Sequence, residues 1–210
     1  MVGPRDGRGR RADRSPTGRQ VLRACVLAIA ATIGSACATY RGTAVGSDAT
    51  EPTRQPGWIW VSGVPTVRQE GNHDCGAASL SAVLAYWGAR ANSADILAAL
   101  HHAPEDNVAA KELTAYARAK GFEAYAMHGE LSDMMTELGE GRPFIVGVAK
   151  PYGEKWVSHY EVVAGFHPPT QSVMTLDPAR GWRKNDLAGF LTEWNPTGRV
   201  LIAVFPVARE

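Results

Sequence analysis

The apolar residues of this chain change period once along its length, and that change constrains the fold more than any single motif. After Asp74, read as an N-cap, Leu80, Val83, Leu84 and Trp87 fall on one helical stripe, and Gly88 follows as a stop. Ser93 caps a second predicted helix through Leu100, and Asn107 a third through Lys120. From Phe122 onward strands dominate, at 122–127, 143–149, 157–166, 172–176 and 200–205, with short helices at 131–138 and 186–194. Residues 58–61 and 64–67 read as a short β lead-in. Helices first and strands last predict an α+β domain, its N-terminal helices packed on a C-terminal antiparallel sheet, because a parallel sheet would need the two to alternate.

The N-terminal part has a different character. Residues 1–23 hold seven arginines against two aspartates, a local charge of +5; the remaining 15 basic and 19 acidic residues leave −4, so the net +1 is a sum of unlike parts. That remainder shows no basic face, and no nucleic-acid partner is expected. Directly after the arginines, residues 24–36 carry no charge and end in Gly34-Ser35-Ala36. A basic start, a short apolar run and small residues describe an export signal over 1–36, too short for a comfortable span of roughly 20 residues. Gly34-Ser35-Ala36-Cys37 resembles a bacterial lipobox, which would lipidate Cys37 and hold the protein to a membrane in the periplasm or at the cell surface. Ordinary cleavage at the A-x-A site Ala36-Cys37-Ala38, or an uncleaved anchor, is the alternative. Residues 37–56 are polar and aperiodic and read as a flexible linker spanning about 25 Å, so the folded domain is expected over 57–210, as a monomer.

With Cys25, Cys37 and Cys75 as the whole inventory, no framework of two bridges is possible. Cys75 stands at the start of the first predicted helix, where backbone N–H groups and the helix dipole stabilise a thiolate. Gly76 beside it would leave room for a substrate backbone, and Ala77 and Ala78 would let the helix pack closely. The bland reading is a small buried hydrophobe. Partners for a nucleophile lie downstream. His159 sits on the strand 157–166, and an antiparallel return through 167–171 brings Asp177 back toward it, where a carboxylate can hold an imidazole in one tautomer. Glu161, two residues along the same strand, points alongside the ring rather than at its far nitrogen. The Gln69 amide can serve an oxyanion together with the Cys75 N–H. Trp156 and Tyr160 flank His159 and either line a cleft or join the core. His73, Cys75, His159 and Asp177 show no paired metal-ligand spacing, so no metal is expected.

Val67-Arg68-Gln69, Asp74-Cys75-Gly76-Ala77-Ala78, His159-Tyr160 with Val162-Val163, and Asp177-Pro178 resemble the double-glycine leader peptidases, the bacteriocin-processing peptidases of the papain superfamily. The resemblance runs from about Val64 to Val204. It implies a papain-like fold and a cysteine peptidase without a cofactor, with Cys75 as nucleophile, His159 as base, Asp177 as orienting residue and Gln69 as oxyanion donor. It also implies cleavage of a peptide or protein substrate after Gly-Gly, through a cleft too narrow for side chains. Members of that family often form the N-terminal domain of an export transporter; with no further apolar span and no Walker loop, this sequence reads as a stand-alone exported form. A transpeptidase or amidase on the same fold, and a non-catalytic peptide-binding domain, are the competing classes.

Overall fold

The computed structural model describes Gly3, residues 42–100 and residues 107–208. Apart from Gly3, the segment expected to be an export signal lies outside the described residues, as do Cys25 and Cys37.

Among the described residues, eight strands form one sheet in which every pairing is antiparallel. In chain order they are β1 (Val45–Gly46), β2 (Ile59–Trp60), β3 (Phe122–His128), β4 (Phe144–Tyr152), β5 (Lys155–His167), β6 (Ser172–Asp177), β7 (Gly181–Asp186) and β8 (Val200–Pro206). The spatial order is β1-β7-β6-β5-β4-β8-β3, with β2 also paired to β5. Among the described residues, six α-helices accompany them: α1 (Glu51–Arg54), α2 (Cys75–Tyr86), α3 (Ser93–Leu100), α4 (Ala110–Ala119), α5 (Leu131–Gly139) and α6 (Leu187–Trp194).

The centre of the sheet is covered on both faces. Phe144 through Lys150 are all buried on β4, which reads as a continuous apolar run up to its lysine, the pattern of a strand with no solvated side. On β5 the two-residue alternation divides the faces: the Tyr160 ring lies against Gly76 of α2, whereas Glu161 reaches Lys150, which in turn reaches Glu193 of α6. Helix α2 is therefore packed more deeply than a single stripe requires. Its residues from Cys75 through Leu84 are all buried, and the small side chains of Gly76, Ala77, Ala78, Ser79, Ser81 and Ala82 let neighbouring elements approach from every side.

The helices and the late strands fall close to their expected positions, with four differences. Residues 64–67 join no ladder; Pro65 has no N–H to offer one. Asn107 does not cap α4: Ala109 takes that position, its N–H donating to Glu112 Oε2 at 2.8 Å, while Asn107 Oδ1 meets His73 Nδ1 at 3.1 Å. Strand β7, with the sequence Gly-Trp-Arg-Lys-Asn-Asp, carries too little β-branched or apolar character to be read as a strand, and forms because β6 supplies a six-residue partner. The largest difference is the linker. Residues 42–56 are part of the folded domain, because β1 pairs with β7, Ser47 N–H donates to the Trp182 carbonyl at 3.0 Å, and Glu51 meets Lys184 Nζ at 2.6 Å. These contacts join residues more than 130 positions apart, and no local pattern announces them.

Candidate active site

Cys75 is the first residue of α2 and is 4% exposed. Asp74 occupies the N-cap position, yet its carboxylate does not bond the helix. Oδ2 turns back to accept the N–H groups of Glu70 at 2.8 Å and Gly71 at 3.1 Å, which tightens the loop before the helix. The first N–H groups of α2 thus receive no side-chain cap, and the positive end of the dipole is directed at the region of Cys75.

His159 comes from β5 and Asp177 is the last residue of β6. The two strands pair through Val162↔Leu176 and Val163↔Thr175, with a bulge between Val163 and Gly165. This brings His159 Nε2 to 2.9 Å from Asp177 Oδ1, both side chains being buried. The same oxygen accepts the Ala179 N–H at 2.8 Å, so the carboxylate is held from the turn side as well. The other ring nitrogen is left for the Cys75 thiol, to which His159 is also hydrogen-bonded. Burial works against a charged imidazole, but the hydrogen bonds to Asp177 and Cys75 and the negative charge on both outweigh it, pushing the His159 pKa up from 6.5 to about 10. A histidine bonded on one side to a buried carboxylate and on the other to a cysteine can hold and return a proton beside the sulfur.

The protein model of the peptidase C39 family matches residues 63–206, which contain Cys75, His159 and Asp177. This chain belongs to the peptidase C39 family. It is a cysteine peptidase. No curated protein is similar enough to the chain to match it. Among solved structures, the peptidase resembles a double-glycine motif protease from an AMS/PCAT transporter, solved in complex with the leader peptide, at 24% identity and a TM-score of 0.57 over 70% of this chain and 95% of that one. It is also similar to the peptidase domain of Streptococcus ComA, a bifunctional ABC transporter in a quorum-sensing pathway, at 24% identity and a TM-score of 0.57 over 69% of this chain and all of that one. A C39-like peptidase from Bacillus anthracis shares the fold at 15% identity and a TM-score of 0.57, covering 72% and 99% of the two chains. The fold is papain-like, with the helices and antiparallel sheet that the sequence pattern predicts.

The peptidase places its other expected site residues less uniformly. Gln69 is tied to the Asp177 turn, since its backbone N–H donates to the Pro178 carbonyl at 3.2 Å. Its side-chain Nε2 donates to the Gly71 carbonyl at 2.7 Å, which leaves one amide hydrogen uncommitted by that bond. At Gly76 the space that a side chain would take is filled by the protein itself. A Cβ there would stand 3.1 Å from Tyr160 Cδ2 and 3.3 Å from Leu113 Cδ1, so the glycine serves the contact between α2 and the sheet. Tyr160 is half-buried in that contact. Its burial and the charges of Cys75 and Glu112 push its pKa up to about 12, against the opposing Ala110 N–H, so it remains a neutral phenol. Trp156 is 55% exposed on the β4–β5 hairpin, three residues from His159, and belongs to the surface rather than the core.

Three residues near the site have no counterpart among the sequence-derived candidates in the role the fold gives them. Lys150, Glu161 and Glu193 are buried together; Lys150 Nζ lies 2.8 Å from Glu161 Oε1 and is hydrogen-bonded to Glu193 Oε2. A lysine closing an apolar strand and a glutamate on the inner face of a helix are the signals that could have found them. His159, Glu161 and Asp177 present ligand atoms within 4.8 Å of one another, a spacing that a metal ion could span. The Lys150 ammonium already supplies the positive charge to Glu161, and Asp177 Oδ1 is committed to His159 and Ala179.

Proposed function

We propose that Cys75, His159 and Asp177 act as a catalytic triad that cleaves exported peptides after a Gly-Gly pair. The observation that carries this reading is the buried His159–Asp177 bond of 2.9 Å with the histidine also bonded to Cys75 at the uncapped start of α2. The Cys75 thiolate attacks the scissile carbonyl carbon, and the carbonyl electrons move to oxygen. The Cys75 N–H and the free amide hydrogen of Gln69 donate to that oxyanion. On collapse the C–N bond breaks, and the His159 imidazolium gives its proton to the departing amine. Neutral His159 then takes a proton from water as the water oxygen attacks the thioester, and the acid product leaves with Cys75 restored as thiolate.

Two glycines before the bond are what the similarity to a double-glycine motif protease supports. The leader peptide bound to the related AMS/PCAT protease supports a peptide substrate of this kind. The N-terminal pattern ending at Cys37 supports export and a lipid anchor, with the enzyme working as a monomer at a membrane surface. Among the described residues, no helix is long and apolar enough to cross a membrane. The test is to incubate the protein with peptides carrying one Gly-Gly, Gly-Ala or Ala-Ala pair and to map the products by mass spectrometry. Cleavage after Gly-Gly alone is the expected result; equal cleavage of all three overturns the specificity, and capture of the acyl group by added amines in preference to water would make the enzyme a transpeptidase.

A further inference from the structure

One buried feature takes no part in the peptide chemistry. Lys150 of β4, Glu161 of β5 and Glu193 of α6 are each at most 2% exposed and place two carboxylates around one ammonium. The surplus negative charge needs further donors in a site closed off from solvent. They come from the N-terminal arm. Thr43 donates its backbone N–H to Glu193 Oε1 at 2.7 Å and its hydroxyl to the same oxygen at 3.2 Å, while Asn185 Nδ2 donates to Thr43 Oγ1 at 2.8 Å and fixes the direction of that hydroxyl. Gly42 lies directly on the ion pair: a Cβ there would stand 2.9 Å from Lys150 Nζ and 3.0 Å from Glu193 Oε1. At its other end the charge cluster meets the active site, since ligand atoms of Glu161, His159 and Asp177 all lie within 4.8 Å of one another. The arm lies outside the residues that the family model matches, 63–206.

We propose that residues 42–46 are a positioning strap for the active-site histidine, acting through Glu193, Lys150 and Glu161. This rests on the reading that Cys75 and His159 carry the peptidase chemistry. With the strap docked, Glu193 is satisfied by Thr43, Lys150 is shared with Glu161, and Asp177 orients His159. With the strap lifted, Glu193 loses two donors and draws Lys150 toward itself. The released charge of Glu161 then competes with Asp177 for the ring. Among the described residues, Cys75 from α2, Asp177 from β6 and Glu161 on its own strand face His159, with Tyr160 adjacent on β5 and Lys150 and Glu193 behind Glu161. An uncompensated Glu161 keeps the proton on His159 to higher pH and turns the ring from the line along which it serves the leaving amine. Thr43, Lys150 and Glu193 are thus positioning residues.

The experiment uses the full chain as Gly42→Leu, Thr43→Val and Thr43→Ser. Two readouts are taken: kcat and KM on a Gly-Gly peptide, and the rate of Cys75 alkylation by iodoacetamide from pH 5 to 11, mapped by mass spectrometry. Gly42→Leu, whose side chain cannot share the space of the ion pair, is expected to lower kcat about tenfold with KM within about twofold. It is also expected to move the alkaline step in the alkylation profile up by about half a unit to one unit. Thr43→Val should shift both in the same direction by less, and Thr43→Ser should restore native values. Should Gly42→Leu fail to fold, Thr43→Val decides alone, because it preserves volume and the backbone bond. Native kcat and a native alkaline step in folded Gly42→Leu and Thr43→Val overturn the strap, even if their melting temperatures fall. A native chain that neither cleaves the peptide nor alkylates faster than a free thiol would instead overturn the underlying site.

Discussion

His159 and Asp177, eighteen residues apart in sequence, meet through a bond of 2.9 Å between Nε2 and Oδ1, with both side chains closed off from solvent. The β5–β6 pairing and its bulge create this contact, and the Ala179 N–H holds the carboxylate in place. Asp177→Asn keeps an oxygen for Ala179 but removes the charge that stabilises the imidazolium. It is expected to reduce kcat by about 10²–10⁴-fold with little change in KM, as steady-state hydrolysis of a peptide substrate would read. A fall of less than about threefold would mean that Asp177 does not orient the base.

Proton linkage offers a second reading of the same pair. The folded protein holds the His159 proton with a pKa of about 10, against an ordinary 6.5. Because the folded value is raised, the stabilisation is fully present below about pH 6.5 and is lost as pH rises through about 10. The melting temperature of the native chain should therefore drop more steeply between pH 7 and 10 than that of His159→Gln. Parallel curves for the two proteins would contradict the assignment.

Gly76 carries a packing prediction. Its missing Cβ is the space into which Tyr160 and Leu113 fit, and Gly147, whose Cβ would stand 3.4 Å from Tyr160 Cε1, bounds the same ring. Gly76→Val should overpack this contact and destabilise the fold by about 1–3 kcal/mol in urea unfolding at constant m-value. An unchanged midpoint would show that Tyr160 moves aside freely, restoring the reading in which Gly76 opens space for substrate.

These predictions separate what local sequence can carry from what it cannot. Cys75 at a helix start, the hairpin return from His159 to Asp177 and the order of helices and strands are all local in the chain, and each was legible from residue type and period. Strand β7 was not, because Arg183, Lys184 and Asn185 have no strand preference of their own and are held by β6. The docking of Thr43 on Glu193 was invisible for the same reason: its bonds cross 150 positions and rest on groups that only the finished sheet brings together. At Gly76 the sequence tells that a side chain is absent without telling that Tyr160 and Leu113 fill its space. A consequence is practical: a fragment beginning at Gly57 would lack β1, α1 and both Thr43 donors, so the domain is better produced from before Gly42.

The central claim is that Cys75 is the nucleophile of a peptidase, and acyl-enzyme trapping tests it most directly. Native protein and Cys75→Ala are mixed with a leader peptide containing a single Gly-Gly, quenched in acid within the first turnover, and analysed by intact-mass and peptide-mapping mass spectrometry. The account predicts a thioester adduct on Cys75 with the mass of the fragment ending in Gly-Gly, and neither adduct nor cleavage with Cys75→Ala. Continued cleavage by Cys75→Ala, or an adduct on another residue, would contradict it.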